Sequence, residues 1–107
     1  MKRKPPNLNL PNRFLKFQKD YPGIFELYEQ LGSATRAAGP LDARTHALVK
    51  LGIAAGAGLE GAVHSHVRRA REAGCSPKEI RQIALLGLTT LGFPKMMTIL
   101  SWIDETL

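Results

Sequence analysis

A single cysteine, Cys75, in 107 residues excludes an intrachain disulfide and any reaction that shuttles between two thiols of one chain. Aromatic residues are also scarce, at 7%, and fall within apolar patterns, so no platform for stacking nucleic-acid bases is available. Acidic residues are outnumbered 9 to 15 by lysine and arginine, for a formal charge of +6, but Lys2, Arg3 and Lys4 alone supply half of that excess. A second basic run, Arg68-Arg69-Ala70-Arg71, comes with no recognisable base-reading module, and nucleic acid is not expected as a partner. Long apolar runs are missing too: the stretch from Ile83 to Phe93 is too short to span a bilayer and runs straight into Pro94. No membrane partner is expected, no charged-then-apolar leader is visible, and the cytoplasm is the expected compartment.

What is present reads as one packed, all-α domain of about six helices. The hydrophobic fraction of 44% against 22% charged residues suits a globular chain of this size. Residues 1–11, with three prolines, read as an extended basic arm, and 12–107 as a single helical domain. Asn12 to Tyr21 patterns as a helix broken by Pro22-Gly23. A second helix is expected from Ile24 to about Ala38, with Phe25, Leu27, Tyr28 and Leu31 turned inward. Asp42 is a good N-cap for a third helix, Ala43 to about Ala57, which is apolar nearly all round except for a stripe of Asp42, His46 and Lys50. A fourth helix spans about Leu59 to Ala73. Ser76-Pro77-Lys78-Glu79 is a capping-box start for a fifth, apolar on two faces up to Gly92-Phe93-Pro94, and the last runs from about Lys95 to Glu105. A helix apolar on two faces suggests contact between subunits.

The segment Glu60-Gly61-Ala62-Val63-His64-Ser65-His66 carries the chemistry. At about 100° per residue, His66 falls inside the apolar arc formed by Val63, Val67 and Ala70, while His64 lies one turn from Glu60 on the polar side with Arg68 and Arg71. The two histidines diverge by about 160°, so they cannot share one metal from a single helix, as alternate residues on a strand can. A metal held by Glu60 and His64 would need ligands from another helix, and neither metal nor cofactor is assigned. Two readings remain for His66: a core histidine hydrogen-bonded to a neighbouring helix, or a desolvated imidazole that stays neutral and relays a proton. Lys50 on the central helix either pairs with a carboxylate such as Glu60, reaches the surface, or binds an anionic substrate.

Four features stand in series: Leu41-Asp42-Ala43-Arg44-Thr45-His46 opening an alanine-rich helix, His66-Val67-Arg68-Arg69-Ala70 before Glu72-Ala73-Gly74, Ser76-Pro77-Lys78-Glu79-Ile80, and Gly92-Phe93-Pro94. In this order and spacing, residues 41–107 resemble the carboxymuconolactone decarboxylase family, which includes the alkyl hydroperoxidase D-like proteins. The resemblance implies an all-α fold and a homotrimer or homohexamer. It also implies that the peroxidase branch's two cysteines would fall at Leu59 and Ala62, and its acidic proton relay at Ala47; all three groups are absent here. The decarboxylase branch, which keeps the equivalent of His66, is the nearer chemical likeness, and this chain reads as a separate subgroup lacking the Cys-x-x-Cys pair.

These readings converge on acid-base chemistry, either decarboxylation or proton transfer, on a small carboxylate, lactone or carbonyl substrate. His66, His64 and Glu60 are the expected catalytic residues, with Lys50, His46 and Arg68 binding the substrate. Two rivals stand beside this: a hydroperoxidase using Cys75, which precedes the cap of the fifth helix where a thiolate would gain from the helix dipole, and a non-catalytic binding or assembly module of the same fold. In a turn, Cys75 also reads simply as a small residue.

Overall fold

The computed structural model describes residues 12–107; the basic arm expected at 1–11 lies outside the described residues. All regular structure among them is helical: α1 (Asn12–Asp20), α2 (Pro22–Ala37), α3 (Ala43–Gly56), α4 (Glu60–Glu72), α5 (Pro77–Leu86), α6 (Leu88–Leu91) and α7 (Phe93–Thr106). Six of these have nine or more residues, and α6 is a single turn. By their internal contacts the residues group into two compact units that part after Pro40.

In the first unit, α1 meets α2 through an edge-on contact of Phe14 and Phe25, with ring centroids 5.6 Å apart. Pro22 takes the first turn of α2 rather than ending α1, because a proline there forfeits only an amide that the helix does not use. The inward stripe expected on α2 is corrected: Leu27, Tyr28 and Leu31 are exposed and only Phe25 is partly covered. A two-helix pair has no further layer against which such a stripe can be buried.

In the second unit α3 packs on α4 and α5, and α7 closes the ring against α4 and α5. Leu51, Val63, Val67, Ile80, Ile99 and Ile103 are the largest fully buried side chains, one or two from each of these helices. Alanine makes the close approach of α3 possible: Ala47, Ala54 and Ala55 are buried beside Leu51 and let the backbone of α4 come near. Both ends of α4 are bounded by the same device. Gly58 (φ 73°) follows α3 and Gly74 (φ 93°) follows α4 in the left-handed region. The next residue donates back five positions in each case, Leu59 to the Ala54 carbonyl at 3.1 Å and Cys75 to that of Ala70 at 2.9 Å. A Cβ at Gly58 would also meet Lys95 Nζ at 2.9 Å, a contact the flexible lysine can yield, so the backbone angle is what requires glycine there.

The capping box at α5 is present, with Ser76 N–H donating to Glu79 Oε1 at 2.8 Å and Glu79 N–H donating to Ser76 Oγ at 3.1 Å. Glu79 also receives Arg44 Nη2 at 2.6 and 2.7 Å, which ties the start of α5 to the first turn of α3. Where one helix is expected from Ser76 to Leu91, the structure turns at Gly87. Its N–H shortens to the Ala84 carbonyl at 2.9 Å, and glycine, the weakest helix former after proline, is where such a break forms. Gly92 (φ 95°) then redirects the chain, and Phe93-Pro94 opens α7 two residues earlier than the pattern implies.

The Arg44 guanidinium and the Ser76 amide hold the Glu79 carboxyl below its ordinary 4.5, and the Thr45 amide does the same for the Asp42 N-cap. A carboxyl lowered in the folded state adds stability that is present above its unfolded pKa and lost as pH falls through the folded value. Glu79→Ala is therefore expected to lower the melting temperature more than Arg44→Ala, which leaves the capping box in place. The gap between the two variants, followed by circular dichroism, should shrink as pH is taken from 7 to below 4.5.

Candidate functional site

Val63, Val67 and Ala70 turn one side of α4 into the core, and the residues at the borders of that side are the polar ones the sequence singles out. His66 sits at one border, half-buried, with its Nδ1 enclosed and without a hydrogen-bond partner. The hydrogen-bonded core histidine is thus not what forms. Across from it α3 brings up Lys50 and His46, and Arg69 stands one turn further along α4, close enough for their positive charges to act on the imidazole. Burial first, then the charges of Lys50, Arg69 and His46, push the His66 pKa from 6.5 down to about 4. Above that value the ring is a neutral imidazole, one nitrogen carrying a proton and the other able to accept one.

Lys50 makes no ion pair with Glu60; among the described residues no carboxylate oxygen lies within 4 Å of its ammonium. Its charge is left directed toward the His66 border of α4. Arg68, expected as a substrate anchor, is not among the charges that act on His66. It is half-buried, its pKa lowered by that burial, and the charges acting on it are those of Glu72 and Arg69.

His64 and Glu60 form a second group on the opposite side. His64 Nε2 lies 3.8 Å from Glu60 Oε2 and 3.3 Å from Oε1 of Glu105, which reaches over from the last turn of α7. His64 stays on the polar border of α4 but is partly covered there: its side chain is 26% exposed, and Nε2 itself is closed off with no hydrogen bond. The sequence separates what the fold brings together here, because Glu105 is far along the chain and no local spacing marks it. Arg69 was legible, since a residue three positions after His66 on a helix shares its side.

Cys75 is part of the hydrophobic core at 3% exposure, its Sγ 3.9 Å from the Arg44 carbonyl, and not on an open turn. Leu59 and Ala62 bring no sulfur to the start of α4, and Ala47 is a buried core alanine. An apolar groove of about 440 Å³ lies elsewhere, between α3 and α5–α6, bordered by Leu48, Val49, Ile83, Leu86 and Leu91.

The arrangement can hold an anion beside a neutral imidazole on one side of α4, and gathers two carboxylates around a second imidazole on the other. The family model described as the carboxymuconolactone decarboxylase family matches residues 22–105. No curated protein and no solved structure matches the chain significantly.

The enclosed His66 should titrate far from a free histidine: its ring protons, followed by NMR, are expected to change near pH 4 and to stay at their neutral positions through pH 6.5. Replacing Lys50 with methionine should raise that midpoint, since it removes one of the repelling charges while leaving burial in place.

Proposed function

Because the chain belongs to the carboxymuconolactone decarboxylase family, we propose that it performs acid-base chemistry, decarboxylation or proton transfer, on a small carboxylate, lactone or carbonyl compound. The observation that carries this reading is the half-buried His66 with an unpartnered Nδ1, bordered by Lys50, His46 and Arg69. Three cationic or imidazole side chains beside one enclosed ring make a place for an anionic substrate. They also stabilise negative charge as it moves from a carboxylate onto an adjoining carbonyl.

In a decarboxylation, the carbon–carbon bond to the carboxylate breaks and carbon dioxide leaves. The bonding pair passes into the neighbouring carbonyl as an enolate. A proton then returns to carbon as the enolate collapses. A neutral imidazole relays that proton, taking one from water at one nitrogen as it gives one to carbon from the other, and is left as the opposite neutral tautomer, which exchange with water resets. Lys50 and His46 hold the substrate's charged end, and Arg69 joins them in place of the Arg68 expected from the sequence. Cys75 takes no part in this reading, since a core thiol facing a backbone carbonyl is shielded from a peroxide. His66→Gln should lower turnover of a lactone acid by about 100-fold or more while leaving the helical circular dichroism spectrum unchanged. Lys50→Met should act chiefly on KM. Full turnover in folded His66→Gln would remove the proposal.

Self-association as a homotrimer or homohexamer accompanies this function. Val49 and Ile53 on α3 and Leu85 and Leu86 on α5 are exposed on the outside of the second unit, next to the apolar groove. Aliphatic surface so concentrated is characteristic of faces that meet another subunit. Sedimentation velocity at micromolar concentration is expected to give an assembly of three or six chains, and the double variant Ile53→Asp/Leu86→Asp a folded monomer. A monomeric parent chain would count against it.

A further inference from the structure

We propose that Glu60, His64 and Glu105 form a binding site for a divalent transition-metal ion of the zinc class, distinct from the His66 border of α4. Their ligand atoms, one from each residue, all lie within 4.8 Å of one another. His64 Nε2 is 3.3 Å from Glu105 Oε1 and 3.8 Å from Glu60 Oε2. Around a tetrahedral zinc ion with bonds of about 2.0–2.2 Å, neighbouring ligand atoms stand about 3.3–3.6 Å apart. The two imidazole-to-carboxylate separations already bracket that range. The remaining carboxylate-to-carboxylate distance, no more than 4.8 Å, has to close by at most about 1.5 Å to match, and both glutamates are free to provide it, with side chains 52% and 59% exposed.

Two further features point to a cation. His64 Nε2 is enclosed yet has no hydrogen-bond partner, a state that a buried ring nitrogen rarely keeps. The carboxylate oxygens beside it, at 3.3 and 3.8 Å, are ion-pair neighbours that make no hydrogen bond to it. The second feature is charge. On a chain with a formal charge of +6, two carboxylates converge with no lysine or arginine within 4 Å of either among the described residues.

The donor set selects the ion. A neutral imidazole nitrogen disfavours magnesium and calcium, which take oxygen ligands, and the absence of a thiolate disfavours copper(I). One imidazole and two carboxylates leave a fourth position for water, the ligand count of a catalytic rather than a closed structural zinc site. The ligands come from the first two turns of α4 and the last turn of α7, so the ion would also pin the end of α7 to the helix that carries His66.

The test uses the whole chain freed of metal with a chelator and then titrated with Co²⁺, read by its visible absorption, and with Zn²⁺, read by calorimetry. One equivalent per chain and a rise in melting temperature are expected. His64→Gln and Glu105→Gln should each weaken binding at least 10- to 100-fold, the loss given by even outer-shell substitutions, and Glu72→Gln should leave it unchanged. Circular dichroism establishes that each variant is folded. The proposal is overturned if neither ion binds, or if binding survives both substitutions. It is also overturned if NMR of the metal-free chain shows His64 as an imidazolium unaffected by one equivalent of Zn²⁺, because a proton would then balance the carboxylates. Activity through His66 is not required for any of these readouts, so the two proposals fail separately.

Discussion

The close approach of α3 to α4 is the constraint on which the second unit depends. Ala47, Ala54 and Ala55 are small enough for the two backbones to draw together around Leu51, Val63 and Val67. That approach sets which side of α4 faces inward, and so places His66 beside Lys50 and His46 and leaves His64 to be met by α7. A larger side chain at any of the three alanines would separate the helices, and interiors packed to crystal-like density absorb such changes poorly. Here the core is small and decides the chemistry through geometry, not through any reactive group of its own.

Much of this was legible in the sequence where the cause was local. Asp42, Ser76 and Glu79 mark helix starts because a cap is satisfied within four residues, and Gly58 and Gly74 mark ends because only glycine adopts their dihedral angles without strain. The all-α class and the divergence of His64 from His66 follow from the 3.6-residue period alone. The break at Gly87 and the early start of α7 at Phe93 were less legible, since a glycine can sit within a helix and a proline can open one. Glu105 beside His64 and Arg44 on Glu79 were not legible at all: both are contacts between helices far apart in sequence, set by packing and not by spacing.

One helix thus presents two chemically opposite borders. The His66 side is cationic and lowers the basicity of its imidazole through burial and like charge. The His64 side is anionic, two carboxylates converging on a ring nitrogen. Because the borders lie about 160° apart around one helix, neither field has to be compromised to accommodate the other. The same histidine side chain therefore appears twice in three residues in contrasting environments.

Glu79 shows how economically a small fold can join local and long-range order. One carboxylate closes the first turn of α5 and holds Arg44 of α3, so the turn cannot fray while the contact between helices persists. Opening of either is coupled to opening of the other, and the starts of α3 and α5 behave as one cooperative unit with a shared lifetime. In a chain with a single cysteine, that carboxylate links two points 35 residues apart through a reversible ion pair open to solvent on both sides.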